Sequence, residues 1–167
     1  MPLVMVWISR ARSWSGTPQA GISHSGQRRD RLPASSPIYR ADPFIPRSVI
    51  SLAGIGDLEA FARLVPLLCG PGVIERLAPS VDSANRYAEI SPAALPAARV
   101  PIVMFSGILD RLVPPYVAYD YARAMQHATP IELVDIPGAG HFDLVTPGTR
   151  AWEEVSARIT AALGAAR

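Results

Sequence analysis

The chain has 167 residues, 49% of them apolar, and a formal net charge of +2. That is one domain's worth of sequence with enough apolar material for a core, which excludes a disordered chain. The lone cysteine, Cys69, excludes an internal disulfide and reads as core filler, and no apolar run is long enough to span a bilayer.

In chain order, Leu3 to Ile8 is a short apolar run with no basic region ahead of it. It reads as a strand or loop rather than a signal peptide, so the expected location is cytoplasmic. Residues 1–31 then scatter Ser, Gly, Gln and Arg without a helical or strand period. They form a basic arm in which Arg10, Arg12, Arg28, Arg29 and Arg31 face Asp30 alone. A basic arm suits nucleic acid, but this one has neither periodicity nor interleaved aromatics, and no nucleic-acid partner is expected. All 16 basic residues of the chain are arginine. Arginine without lysine, together with abundant Ala, Gly and Pro, is what a GC-rich gene encodes.

From Leu32 onward the pattern is orderly. Arg47 to Gly54 reads as a buried strand ending in a glycine turn. Asp57 sits at the N-cap of a helix predicted from Leu58 to Leu68, which Pro66 should kink or end. Pro71 to Leu77 suggests a short helix, and Asn85 to Pro92 a loop punctuated by Pro92 and Pro96. Ile102 to Ser106 is a second strand, and Pro114 to Met125 a helix with prolines in its first turn. Ile131 to Ile136 is a third strand, and Trp152 to Leu163 a closing helix. Strands alternating with helices predict βαβ units and a parallel sheet, an α/β fold.

The chemistry concentrates beyond the last two strands. Val103-Met-Phe-Ser-Gly-Ile-Leu-Asp110 and Ile131-Glu-Leu-Val-Asp-Ile-Pro-Gly-Ala-Gly-His141 are apolar runs that each end in one polar residue. In open α/β sheets functional groups lie beyond the carboxyl ends of strands. Asp followed by His is the chain order of the later two members of an α/β-hydrolase catalytic triad. Two plainer readings stay open at this point: Asp110 as a turn residue ahead of Arg111, and His141 as a hydrogen-bonded loop histidine. His127, at a helix end, reads as surface.

Four segments carry a family resemblance: Ser51-Leu-Ala-Gly-Ile-Gly-Asp-Leu58, Arg86-Tyr with Ser91-Pro92, Ser106-Gly-Ile-Leu-Asp110-Arg-Leu-Val-Pro114, and Gly138-Ala-Gly-His141-Phe. In order and spacing, residues 32–167 resemble the C-terminal half of the α/β-hydrolase family, in its esterase and arylformamidase-like branch. The resemblance implies a three-layer sandwich whose partial, mostly parallel sheet corresponds to the family's last strands. It implies hydrolysis of small-molecule carboxylic esters or aryl amides with no cofactor and no metal. His141 would be the base, Asp110 its orienting acid, and Asp57 a weaker substrate-binding candidate. With only the last strands present, the sheet would keep an unpaired apolar inner edge prone to self-association, which Leu3 to Ile8 would at most cover in imitation of a fourth strand.

The nucleophile is what is missing. The family motif G-x-S-x-G and its glycine-rich oxyanion loop are absent. Gly21-Ile-Ser23-His24-Ser25 is a near miss without the final glycine, so Ser23 is not assigned as nucleophile. Reverse translation with GC-rich codons offers an explanation. Read one frame over, with the free third base of each codon joined to the first two bases of the next, Ser15 to Gln27 permits GHSAGGHLALWA, an elbow followed by the start of an amphipathic helix. Residues 1–31 are therefore expected to be an out-of-frame translation, a frameshift restored before Leu32-Pro33, and the chain as written is expected to be inactive. The alternative is a hydrolase-like fragment without catalysis, acting as a binding or oligomerising module.

Overall fold

The computed structural model describes residues 5–8 (as backbone), 32, 34–37, 39, 41, 42, 46–77, 82, 84, 86–95 and 100–164. Ser23 and the rest of the basic arm lie outside the described residues. The chain is α/β. Its sheet has four strands in the order β1-β2-β3-β4: β1 (Met5–Ile8), β2 (Ser48–Leu52), β3 (Ile102–Gly107) and β4 (Ile131–Ile136). The last three are parallel, with Val49 opposite Ile102 and Ile102 opposite Ile131. This is the partial, mostly parallel sheet predicted for residues 32–167.

Strand placement follows composition. All six residues of β3 are buried, as a central parallel strand covered on both faces requires. Its side chains alternate between two cores. Val103 and Phe105 join Ile50 and Leu52 against Ala151 and Val155 of α5 (Arg150–Gly164). Ile102 and Met104 join Val49 against Ala118, Tyr121 and Met125 of the helix Tyr116–Met125. The result is three layers, helix, sheet and helix. β4 is an edge strand, and only Ile136 in it is fully buried. Its charged residues turn outward, where Glu132 pairs with Arg158 of α5 and Asp135 accepts a hydrogen bond from Tyr119. That bond is the main reason the Tyr119 phenol is held above its ordinary pKa.

Between β2 and β3 the chain departs from the predicted pattern in two places. Asp57 caps as expected, its Oδ1 accepting from the amides of Glu59 (3.1 Å) and Ala60 (3.0 Å). What it caps is a run of turns over residues 58–64, not a continuous helix. The helix proper is α1 (Val65–Cys69), with Pro66 in its first turn. Proline has no N–H to give and fixes φ, so it begins this helix rather than interrupting a longer one. After α2 (Val73–Leu77), the predicted loop at 85–92 contains α3 (Arg86–Ile90). Its buried Ile90 packs into the core, Arg86 pairs with Glu75 of α2, and Glu89 accepts from Ser36. The prolines limit this helix without preventing it, since it stops short of Pro92. The helix Tyr116–Met125 is α4, with Pro115 at its N-cap. Cys69 is half-buried against the main core, and His127 is exposed just past α4.

The inner edge of β2, expected to stand open, is occupied. β1 pairs with it antiparallel, Met5 opposite Ser51 and Ile8 opposite Ser48. The free edge is thereby moved outward to a strand of four residues, and α5 reaches across to touch it. A short edge strand is one of the ways sheets avoid edge-to-edge pairing. Deleting residues 1–8 should therefore expose β2 and shift the chain towards dimers and larger species. Sedimentation velocity checks this, and an unchanged distribution would show that β1 does not guard the edge.

Candidate functional site

The site is built where β3 and β4 end. β3 terminates at Gly107, and the chain then turns back so that the Asp110 amide donates to the Gly107 carbonyl (3.0 Å). The Asp110 side chain is fully buried. Burying a carboxylate is costly unless hydrogen bonds replace its water. Here Oδ1 accepts from the amides of Leu112 and Val113, each at 2.8 Å, while Oδ2 lies 2.8 Å from His141 Nδ1. Two backbone donors hold one oxygen, which aims the other at the imidazole.

The histidine arrives on a loop tied to the end of β3. Beyond Ile136, the Ile108 amide donates to the Ile136 carbonyl (3.1 Å) and the Leu109 amide to the Ala139 carbonyl (2.9 Å). Gly138 turns with φ +76°, a conformation that favours glycine. Gly107 is required for a different reason: a Cβ there would sit 2.5 Å from the Ala139 carbonyl oxygen. The loop thus lies directly over the end of β3, and His141 is set beside Asp110. A carboxylate can only accept, so in the neutral imidazole Nδ1 carries the proton and Nε2 the lone pair. The ring is 24% exposed, and the Phe142 ring meets it edge-on with centroids 5.2 Å apart. An imidazole oriented by a buried carboxylate, with a basic nitrogen still available, is equipped to take a proton from a nucleophile and return it to a leaving group.

The structure therefore brings Asp110 and His141 together. Asp57 is half-buried, and its Oδ1 serves the cap described above. Among the described residues no serine stands on a strand-to-helix turn. Ser51 and Ser106 are buried within strands, and the buried Ser91 hydroxyl accepts from the Leu58 amide (3.0 Å). Nor, among those residues, do three or more His, Cys, Asp or Glu side chains converge as metal ligands, and no helix is long and apolar enough to cross a membrane. Ala53, at the end of β2, has φ +46°, a left-handed conformation that costs a non-glycine residue about 1–2 kcal/mol. Backbone strain of this kind gathers at the working ends of sheets, yet nothing in the sequence marked Ala53 for it. Around the dyad Ile108, Leu109 and Phe142 are exposed apolar side chains. A cavity of about 450 Å³ lies at the opposite end of the sheet, lined by strand-starting residues such as Ser48, Ile102 and Ile131 together with Arg158, so it does not serve the dyad.

No protein-family model matches the chain, and no curated protein matches it. Solved structures do. A propionate-bound esterase from the Planctomycetes species Thermogutta terrifontis aligns at TM-score 0.50 and 20% identity, over 86% of this chain and 50% of that one. The native form of the same esterase aligns at 0.39 and 24%, over 52% and 32%. A puromycin hydrolase aligns at 0.45 and 21%, over 71% of this chain and 18% of its own. The likeness to the first is one of fold, and the chain has the α/β fold with partial α/β-hydrolase topology. The chain spans half the length of that esterase at most.

The close approach at Gly107 gives a direct check on the site. Gly107→Ala must push the Ala139 carbonyl away, at a cost of about 1–3 kcal/mol for overpacking, and with it the 2.8 Å contact between Asp110 and His141. Urea denaturation should show the lost stability, and the low-field Nδ1–H resonance of His141 should weaken or vanish. Both unchanged would mean the loop is not seated on β3.

Proposed function

We propose that residues 32–167 are the C-terminal part of a serine hydrolase acting on carboxylic esters or aryl amides. The observation that carries this is the buried carboxylate of Asp110 bound to His141 Nδ1 at the carboxyl edge of a parallel sheet. In the proposed reaction His141 Nε2 takes the proton of a serine hydroxyl as it attacks the carbonyl carbon, then returns it to the departing alcohol or amine. Asp110 keeps the ring in the right tautomer and stabilises the imidazolium that forms. The tetrahedral oxyanion needs two donors. One is the amide after the nucleophile and the other lies on an upstream loop; neither element is in the chain as written. The chain therefore holds a base and its orienting acid without the group they would activate. Its substrate in the intact enzyme is a small ester or amide, and its location is the cytoplasm.

The nucleophile is assigned to the shifted frame of residues 1–31. In that frame the serine codon straddles Thr17 and Pro18. Several neighbouring positions leave little choice. Tryptophan has one codon, so with a TC-type codon for Ser15 the base after Trp14 makes valine ahead of the elbow. Gln19 joined to Ala20 can give only serine or glycine at the closing position of the motif. The fold supports the same assignment. The hidden strand precedes β2, and the side of β2 not taken by β3 is the place a parallel neighbour would occupy. Residues 18–47 leave ample chain for the helical crossover such a neighbour needs. In the frame as written, β1 fills that place in the wrong direction.

Sequencing the genomic DNA across codons 1–33 on both strands and expressing both versions tests this. The chain as written should give no measurable turnover of a p-nitrophenyl ester. The restored reading frame, expressed together with the upstream sequence that carries the oxyanion loop, should turn it over, and His141→Ala should lower its kcat by roughly a thousandfold or more. Robust, His141-dependent turnover by the chain as written would overturn the missing nucleophile. A gene without the shifted string would end the frameshift assignment.

A further inference from the structure

Asp110 orients the ring of His141 but does not hold the backbone that carries it. That backbone has a second carboxylate beside it. Asp143 Oδ2 accepts a hydrogen bond from the Gly140 amide at 2.7 Å, spanning the histidine from the residue before it to the second residue after it. Asp143 is half-buried, and Leu144 next to it is fully buried, anchoring the 3-10 turn Phe142–Val145 that begins directly after His141. The Asp143 carbonyl in turn accepts from the Thr149 hydroxyl at 2.6 Å. Thr149 is the N-cap of α5: its Oγ accepts from the Trp152 amide (3.1 Å), and its carbonyl from the Glu153 amide (3.1 Å). A continuous chain of hydrogen bonds therefore runs from α5 through Thr149 and Asp143 to Gly140. α5 itself is fixed on the sheet by Ala151 and Val155, which are 3% and 0% exposed.

We infer that Asp143 is a positioning residue for His141: its carboxylate clamps the Gly140 amide and transmits the rigidity of α5 to the turn on which the imidazole is mounted. The role rests on the reading of His141 as the base, and it is separate from that of Asp110. Asp110 determines which nitrogen carries the proton and where the ring points. Asp143 determines where the ring is attached. The Leu109 amide holds the loop as far as Ala139; from there Gly140, with no side chain to restrict it, carries the chain to His141, and the Asp143 contact fixes that step. An ionised acceptor on a backbone amide is among the stronger hydrogen bonds available for the purpose.

The test needs no enzymatic activity and uses the full chain as it stands. In isotope-labelled protein, the Gly140 amide should exchange slowly with solvent and the His141 Nδ1–H should give a resolved low-field resonance. Asp143→Ala should speed Gly140 exchange roughly ten- to hundredfold and broaden the His141 resonance away, while the Val155 amide stays protected. Asp143→Asn, whose side-chain oxygen still accepts, should restore both. A merely structural role would instead loosen α5 as well, raising exchange at Val155 along with Gly140. The inference is overturned if Gly140 is unprotected in the unmutated chain, if Asp143→Ala leaves both signals unchanged, or if Asp143→Asn is as damaging as Asp143→Ala. Should Asp143→Ala fail to fold, protection in the unmutated chain and the Asn variant decide. Asp110→Asn distinguishes the two carboxylates: it should remove the His141 resonance and leave Gly140 protected. If the resonance survives that substitution, the dyad reading fails, whatever Asp143 does.

Discussion

The carboxyl end of this sheet depends on the close approach of the Ala139 carbonyl to Gly107, where a Cβ would sit 2.5 Å from its oxygen. It brings the loop after β4 across the end of β3, and the remaining geometry follows. Ala139 and Ile136 accept from the first amides beyond β3, so the two strand ends become one hydrogen-bonded unit. Asp110, leaving β3, and His141, leaving β4, are then within 2.8 Å of each other although 31 residues apart in the chain. Any side chain larger than hydrogen at Gly107 occupies the space the loop needs. Core packing elsewhere tolerates changes of volume with local relaxation. A backbone carbonyl over a backbone α-carbon leaves nothing flexible to move.

The energetics of Asp110 show why the dyad is preorganised. An ionised carboxylate with a fully buried side chain would be untenable alone. Two amide donors on Oδ1 replace part of the water lost on burial and fix the carboxylate in place independently of the imidazole. His141 therefore adds to an acceptor already in place. This order matters for catalysis, because an acid that relied on the imidazole for its own solvation would lose that support whenever the ring moved. The separate clamp on Gly140 fits the same logic: one carboxylate is devoted to the ring and another to its mounting. The exposed apolar side chains of Ile108, Leu109 and Phe142 flank this assembly.

How much was legible beforehand follows from the type of signal. β2, β3 and β4 were readable because each is an apolar, β-branched run, and β4 matched at both ends. Asp110 and His141 could be singled out together because each lies a short loop beyond an apolar run, in the chain order Asp then His, where functional groups of open α/β sheets sit. α3 was missed because five residues between prolines carry too little periodicity; its contacts are tertiary, Ile90 in the main core and Glu89 with Ser36, distant in the chain. The helix from Asp57 was overextended because its apolar pattern continues through turns, and Pro66 was read as a stop where it serves as a start. Asp143 was overlooked because its work is done on a backbone amide three residues back, which leaves no compositional trace beyond Gly-His-Phe-Asp. Leu3 to Ile8 read as a strand or a loop; the strand is Met5–Ile8, and its antiparallel direction depends on pairing that no local pattern contains.

The integrity of this half-site also bears on the origin of the first 31 residues. A gene that lost its nucleophile long ago would no longer be constrained at Gly107, Asp110, Gly138, Gly140, His141 or Asp143. Most substitutions at these positions break something specific: a Cβ at Gly107 collides, an apolar residue at Asp110 leaves the ring without its acceptor, and a side chain at Gly138 meets an unfavourable φ. Drift would be expected to damage at least one. Instead every contact closes, down to the Thr149 cap that links Asp143 to α5. Contacts that close throughout the half-site beyond Leu32, joined to an arm whose alternative frame permits the missing motif, support the proposal of a recent shift of frame or an error in reading the DNA over that of slow decay.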